Sequence, residues 1–263
     1  MEDGCVRVEP RCGGQVALVT FDRPKVHNAL DRASLARFGA IVEALALDPK
    51  LLAVVVTGAG EKAFVAGGDL EDLHQVKGAS AARELAERVG HTLSRLAGLD
   101  AVVIAAIGGW CIGGGLEIAL ACDLRIVAQG ARLAGRQVSL GVAGGWGGVG
   151  RLVRLVGPAK ALRFLLETDP LDAEDARALG LVDEVVPAGQ HVEAALRYAE
   201  RLTELPEGSV RLTKRAVRGA AELPPGLSRT LEAELFAATW ASEAHEAAVR
   251  AFLSRRAAGG SDG

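Results

Sequence analysis

Two short, almost wholly apolar runs each lead straight into a glycine-rich turn, and this pairing restricts the available folds more than any other feature of the chain. Leu52–Thr57 (LAVVVT) runs into Gly58-Ala-Gly-Glu-Lys-Ala-Phe-Val-Ala-Gly-Gly-Asp-Leu70. Val102–Ile107 (VVIAAI) runs into Gly108-Gly-Trp-Cys-Ile-Gly-Gly-Gly-Leu-Glu-Ile-Ala-Leu-Ala-Cys-Asp123. Strands that are apolar at nearly every position need cover on both faces, which a sheet flanked by helices supplies. Val16–Phe21, Leu124–Val127 and Leu181–Val186 read as further strands of the same aliphatic, β-branched kind. Between them, Ser34–Leu47 and Ala82–Leu96 repeat apolar residues at three- and four-residue steps and are expected to be amphipathic helices, with Asp31 and Ser80 as N-caps.

Past about residue 187 the strand signals stop. Helical patterns follow at Val192–Leu202, Val210–Ala221, Leu227–Trp240 and Glu243–Arg256. The last places Glu243 and Glu246 in its first turn, with Arg255 and Arg256 at its end and Gly259 beyond, as the helix dipole favours. The expected organisation is therefore an α/β core over 1–187 and a helical region over 188–263. Leu231, Leu235, Phe236, Trp240, Val249 and Phe252 give these terminal helices an apolar face that needs a partner surface, either their own core or another subunit.

The formal net charge is −3, with both signs interspersed and no polybasic run, which disfavours nucleic acid or an anionic membrane as a charge-driven partner. The opening MEDGCVRVEP carries no basic stretch followed by an apolar one, and no apolar run reaches spanning length, so a cytoplasmic protein is expected. Cys5, Cys12, Cys111 and Cys122 lack metal-ligand spacing, as do the 5 histidines; inert thiols and no protein-built metal site are expected. Gly145-Trp-Gly-Gly-Val-Gly150 fits the dinucleotide GxGxxG pattern, but it comes late in the chain, and Gly157-Pro158 interrupts the helix such a fingerprint should open.

Chemistry is best sought at the glycine turns. In the second, Gly113-Gly-Gly leads into a helix whose first N–H groups lack internal acceptors and carry partial positive charge. Glycine allows a ligand oxygen to approach them. Glu117, one turn into that helix, can face the same space. Either turn alone is equally a tight turn beside a solvated acid; the two with a placed carboxylate point to an oxyanion-binding α/β enzyme.

Four motifs in order carry a more specific likeness. Arg23-Pro-Lys-Val-His-Asn-Ala-Leu30, Ala66-Gly-Gly-Asp-Leu70, Gly113-Gly-Gly-Leu-Glu-Ile-Ala-Leu-Ala-Cys-Asp123 and Leu171–Pro187 together resemble the enoyl-CoA hydratase/isomerase (crotonase) family. The resemblance spans about Val16 to Arg256. It implies a spiral of repeated β-β-α turns with C-terminal helices, assembled as a homotrimer or homohexamer. It also implies an acyl-CoA substrate, with coenzyme A entering as part of that substrate and no cofactor bound by the protein.

Carried onto this chain, the likeness makes the Gly68 and Gly114 N–H groups the oxyanion donors and Glu117 a general acid/base. Ala66, Asp69 and Leu70, together with Lys25 and Val26, fall on the CoA-binding surface; Lys25 serves there as a phosphate partner or is simply an exposed loop lysine. The family's second glutamate is absent: in Ala134-Gly-Arg-Gln-Val-Ser-Leu-Gly141 its place is held by Gln137, which can hold a water but cannot exchange a proton. That departure disfavours ordinary two-acid hydration and the isomerases that keep the second acid. Trp146, in Gly144-Gly-Trp-Gly-Gly148, is either a wall of the acyl pocket or a packing residue. The implied activity is an enoyl-CoA hydratase-like reaction through an enolate. Decarboxylation of a malonyl-type thioester and a non-catalytic acyl-CoA-binding subunit stand as alternatives.

Overall fold

A computed structural model describes residues 5–259; residues 1–4, part of the opening segment read above for a leader, lie outside it. Strand β1 (Val6–Arg11) pairs antiparallel with β2 (Val16–Phe21), and helix α1 (Arg32–Ala46) follows. The Asp31 side chain accepts from the Ser34 N–H, the N-cap expected from sequence. Then the chain repeats one unit three times: a strand in a large sheet, a short strand in a second sheet, then helix. These units are β3 (Ala53–Gly58), β4 (Ala63–Val65), α2 (Leu70–Leu73) and α3 (Gly78–Ala97); β5 (Val102–Ile107), β6 (Trp110–Ile112) and α4 (Gly114–Ala121); and β7 (Leu124–Ala128), β8 (Arg132–Ala134), α5 (Gly148–Val156) and α6 (Pro158–Glu167). Strand β9 (Leu171–Asp172), α7 (Ala173–Leu179), β10 (Glu184–Val186) and α8 (His191–Thr203) complete the first compact unit, which ends at Leu202. The large sheet has the order β1-β2-β3-β5-β7-β10, and the second β4-β6-β8-β9.

Alternation along the central strands divides their side chains between two cores. Val54, Val56, Val103, Ala105 and Ile107 face one cluster with Leu35 and Phe38 of α1 and Leu93 of α3. Ala53, Val55, Ile104 and Ala106 face another with Ala194, Ala195 and Ala199 of α8. The cover on both faces that the apolar runs require is thus supplied, and each fully buried valine contributes roughly 1.5–3 kcal/mol relative to exposure.

Three sequence expectations need correction. Ser80 is not an N-cap: α3 starts at Gly78, whose φ of +80° turns the chain into the helix two residues earlier. Only Glu184–Val186 of the expected Leu181–Val186 is strand, because the Leu181 N–H closes α7 by donating to Ala176 O (2.8 Å) past Gly180. Gly259 lies within the last helix and not beyond it, a shift of the size usual at fraying ends.

The second compact unit, from Thr203, holds α9 (Glu207–Glu222), α10 (Pro225–Trp240) and α11 (Glu243–Gly259). The helical region expected from 188 thus divides, with α8 built into the first unit. Leu231 packs on Gly219, where a Cβ would meet its Cδ2 at 2.5 Å, whereas Phe236, Trp240 and Phe252 stay exposed.

One buried polar side chain fastens the N-terminal turn to the first glycine loop. Asn28, 1% exposed and in the left-handed region (φ 58°), points Nδ2 at the carbonyls of Ala59 (3.0 Å), Ala63 (2.9 Å) and Phe64 (3.2 Å). Its Oδ1 accepts from the Arg23 N–H at 2.9 Å. Replacing it by Ala strips these carbonyls of their donor, and losses of this kind cost about 1–3 kcal/mol. Urea unfolding of Asn28→Ala should show that loss as a lower midpoint with unchanged slope; a midpoint matching the parent would mean the turn is held by other contacts.

Candidate functional site

The site is assembled where the second sheet's parallel strands β4, β6 and β8 end. At the C-terminal end of β4, residues 66–69 run beside residues 27–30. The Ala66 N–H donates to His27 O (3.1 Å), Leu30 N–H to Gly67 O (2.8 Å) and Asp69 N–H to Leu30 O (2.9 Å). Gly67 O and Asp69 N–H face Leu30, so the N–H of Gly68 between them points to the opposite edge of this segment. Asp69 is held by Arg23 Nη1 at 2.9 Å. These bonds place Lys25 and Val26, exposed on a short 3-10 turn (Pro24–Val26), next to the segment bearing Ala66, Asp69 and the exposed Leu70.

At the end of β6, Gly113 takes φ 53°, ψ −110°, a conformation open to glycine, and α4 begins at Gly114. As the first helical residue, Gly114 has no intrahelical acceptor for its N–H; the first such bond runs from Glu117 N–H to Gly113 O (3.0 Å). The two glycine turns abut. A Cβ built on Gly67 would lie 3.2 Å from Ile112 O and 3.8 Å from Gly114 N, and one on Gly115 only 2.1 Å from Val65 O. Apolar side chains lie against both glycines named by the sequence. Leu73 Cδ1 is 2.6 Å from the Cβ position of Gly68, and Trp146 Cζ3 is 2.3 Å from that of Gly114.

Every residue of α4 is buried, Glu117 among them at 4% exposure, so the acid is not a solvated first-turn carboxylate. Its Oε2 accepts from the N–H groups of Trp146 (2.9 Å) and Gly148 (2.8 Å). Its Oε1 accepts from Gln137 Nε2 (3.2 Å) and, at longer range, from Gly145 N–H (3.4 Å). Four donors thus match the four lone-pair directions of one carboxylate. Gln137 lies at the start of the 3-10 turn Val138–Leu140, with its Cδ 4.0 Å from the Cβ position of Gly113. Its Oε1 is buried and has no hydrogen-bond partner. Glu117, Gln137, Trp146 and the Gly113–Gly114 turn therefore form one closed cluster, and Gly67–Gly68 borders it.

The sequence reading missed the three backbone N–H groups that grip Glu117, and missed Arg23, which holds Asp69, and Asn28, which holds the carbonyls of Ala59, Ala63 and Phe64. Asn28 stood in a quoted motif, and its left-handed, buried placement is the signal a sequence conceals. Among the described residues, no group of three or more His, Cys, Asp or Glu side chains is placed to hold a metal ion, and no helix is long and apolar enough to cross a membrane. None of the four cysteines is in a disulfide, and burial pushes the Cys111 thiol pKa up, the behaviour of an inert thiol.

The geometry has clear counterparts. The family model for enoyl-CoA hydratase/isomerase matches residues 11–259. The short-chain-enoyl-CoA hydratase of Clostridium acetobutylicum is 34% identical over 243 residues, 92% of this chain and 93% of that protein. The crotonyl-CoA hydratase of Syntrophomonas wolfei is 33% identical over 244 residues, 93% of this chain and 94% of that protein. Among solved structures, Pseudomonas aeruginosa DspI superposes with a TM-score of 0.89 at 36% identity, covering 97% of this chain and 96% of that one. Two sheets wound as β-β-α turns, a glycine-bounded buried acid and these likenesses along the whole length agree: the chain belongs to the enoyl-CoA hydratase/isomerase family and has the crotonase fold.

Proposed function

We propose that the chain hydrates 2-enoyl-CoA thioesters with a single carboxylate. The observation that carries this reading is the pairing of Glu117 Oε1 with Gln137 Nε2 (3.2 Å) beside the Gly113–Gly114 turn. In this reading the Gly68 and Gly114 N–H groups receive the thioester oxygen, and coenzyme A lies along Lys25, Val26, Ala66, Asp69 and Leu70. Oε2 of Glu117, held by two short bonds, is the anchored oxygen. Oε1, held by the two longer ones, is the working oxygen, and a water takes the place of its weakest donor. The Gln137 Oε1, which lacks a partner, accepts the second hydrogen of that water.

The water oxygen bonds to C3 while its proton passes to Glu117, and the C2–C3 π electrons move to the carbonyl as an enolate. The two N–H groups stabilise that charge; one such donor is worth about 10²–10³ in rate. Glu117 then returns the proton to C2, so one acid serves both transfers and Gln137 only orients the water. The same departure at Gln137 suits loss of CO₂ from a malonyl-type thioester, which needs the two donors and no initiating base.

Turnover on crotonyl-CoA and methylmalonyl-CoA separates these readings. The chain should hydrate crotonyl-CoA slowly, Glu117→Gln should abolish this, and Gln137→Glu should raise it, since a placed acid/base group contributes roughly 10²–10⁴-fold. Fast hydration that Gln137→Glu slows would place the second proton elsewhere. CO₂ release without hydration would establish the decarboxylase, and turnover of neither thioester an acyl-CoA binder.

We also propose a homotrimer or homohexamer, with the second unit's exposed Phe236 (61%), Trp240 (60%) and Phe252 (60%) covered by a neighbouring subunit. Light scattering should give three times the 27.2 kDa chain mass or a multiple of it; a monomer at micromolar concentration contradicts this.

A further inference from the structure

The acyl-CoA reading leaves open what lies beyond C3 of the substrate, and on that reading we infer that Trp146 is a fixed end wall that confines this site to short acyl chains. Between Gly144 and Gly148, Trp146 and glycine are the only residue types, so the indole is the one side chain the loop can place in the site. The ring lies directly against the start of α4: Cζ3, Cη2 and Cε3 would stand 2.3, 2.8 and 3.3 Å from a Cβ on Gly114. The backbone of the same residue donates to Glu117 Oε2 at 2.9 Å. Trp146 therefore spans the interval from the oxyanion donor to the acid. A thioester whose carbonyl sits at Gly114 and whose C3 faces Glu117 lies along that interval, with its acyl carbons against the indole.

The backbone that carries the indole is anchored on three sides. Its N–H is held by Glu117, and its carbonyl accepts from Arg151 Nη1 at 3.1 Å. Arg151 Nη2 reaches Ser94 Oγ on α3 at 3.3 Å. On the same helix, a Cβ at Gly90 would lie 3.9 Å from the Trp146 backbone, so the helix backs the loop in ordinary van der Waals contact. The ring also packs on the buried core cluster. Leu73, with Cδ1 2.6 Å from the Cβ position of Gly68, lines the other glycine.

The test uses saturated acyl-CoAs, which bind without turnover. Dissociation constants for butyryl-, octanoyl- and decanoyl-CoA are measured by calorimetry on the parent, Trp146→Ala and Trp146→Phe, each confirmed folded by thermal melting. The parent should prefer butyryl- over decanoyl-CoA. Trp146→Ala should shift that ratio toward decanoyl-CoA by roughly tenfold or more, the scale on which a pocket discriminates single methylenes, and Trp146→Phe should fall between. Rates on the matching enoyl-CoAs should follow in kcat/KM. Binding of butyryl-CoA with one chain-length profile in all three proteins overturns the wall while leaving the acyl-CoA reading intact. Failure of any acyl-CoA to bind the folded parent overturns both.

Discussion

The site depends on one close approach: the start of α4 lies directly on the backbone of β4. At Gly115 a Cβ would stand 2.1 Å from the Val65 carbonyl oxygen, so no side chain of any kind fits there without moving backbone. This contact sets the first turn of α4 beside the chain that leaves β4, and it brings Gly67 within reach of the Gly114 N–H. Two segments far apart in sequence become neighbours because nothing but hydrogen stands between the elements that carry them. The β-β-α repeat supplies the stiffness, since β3 and β5, whose continuations form the two turns, are parallel neighbours in the large sheet.

Glu117 then does two things with one carboxylate. A buried carboxylate is tolerated only when its lone pairs are satisfied, and charge-assisted bonds to backbone N–H groups are strong ones. Two of its four donors come from the loop that precedes α5 and a third from that helix's first residue, so the acid also fixes Trp146 and the entry to that helix. On the proposed reading, catalysis and loop geometry are consequently coupled. Changing the acid alters the shape of the site as well as its proton chemistry, and a careful comparison must use isosteric variants.

Much of this was legible in the sequence. Val16–Phe21 and Val102–Ile107 are strands over those same residues, because β-branched runs bounded by polar or glycine residues have no competing period. The capping role of Asp31 was legible because it is local. What the sequence hid is what depends on distant backbone. Strands β4, β6 and β8 have only three residues each, too short for any periodicity, and exist because the second sheet pairs them. Asn28 reads as a turn residue, yet its weight comes from three carbonyls more than thirty positions away. The loop donors to Glu117 are amides, present at every residue, and no side-chain pattern announces them. Glu117 and the glycines stand out in the sequence because Gly113-Gly-Gly opens α4 and the acid lies one turn in.

The proposed chemistry depends on the two donors, and their joint use is most directly tested by a crystal structure of the protein with a saturated acyl-CoA thioester bound. The thioester oxygen should lie about 2.7–3.1 Å from both the Gly68 and the Gly114 nitrogen, with the acyl carbons directed at Glu117. A carbonyl bound to one of these groups alone, or a thioester seated elsewhere with the two N–H groups facing separate spaces, would contradict it.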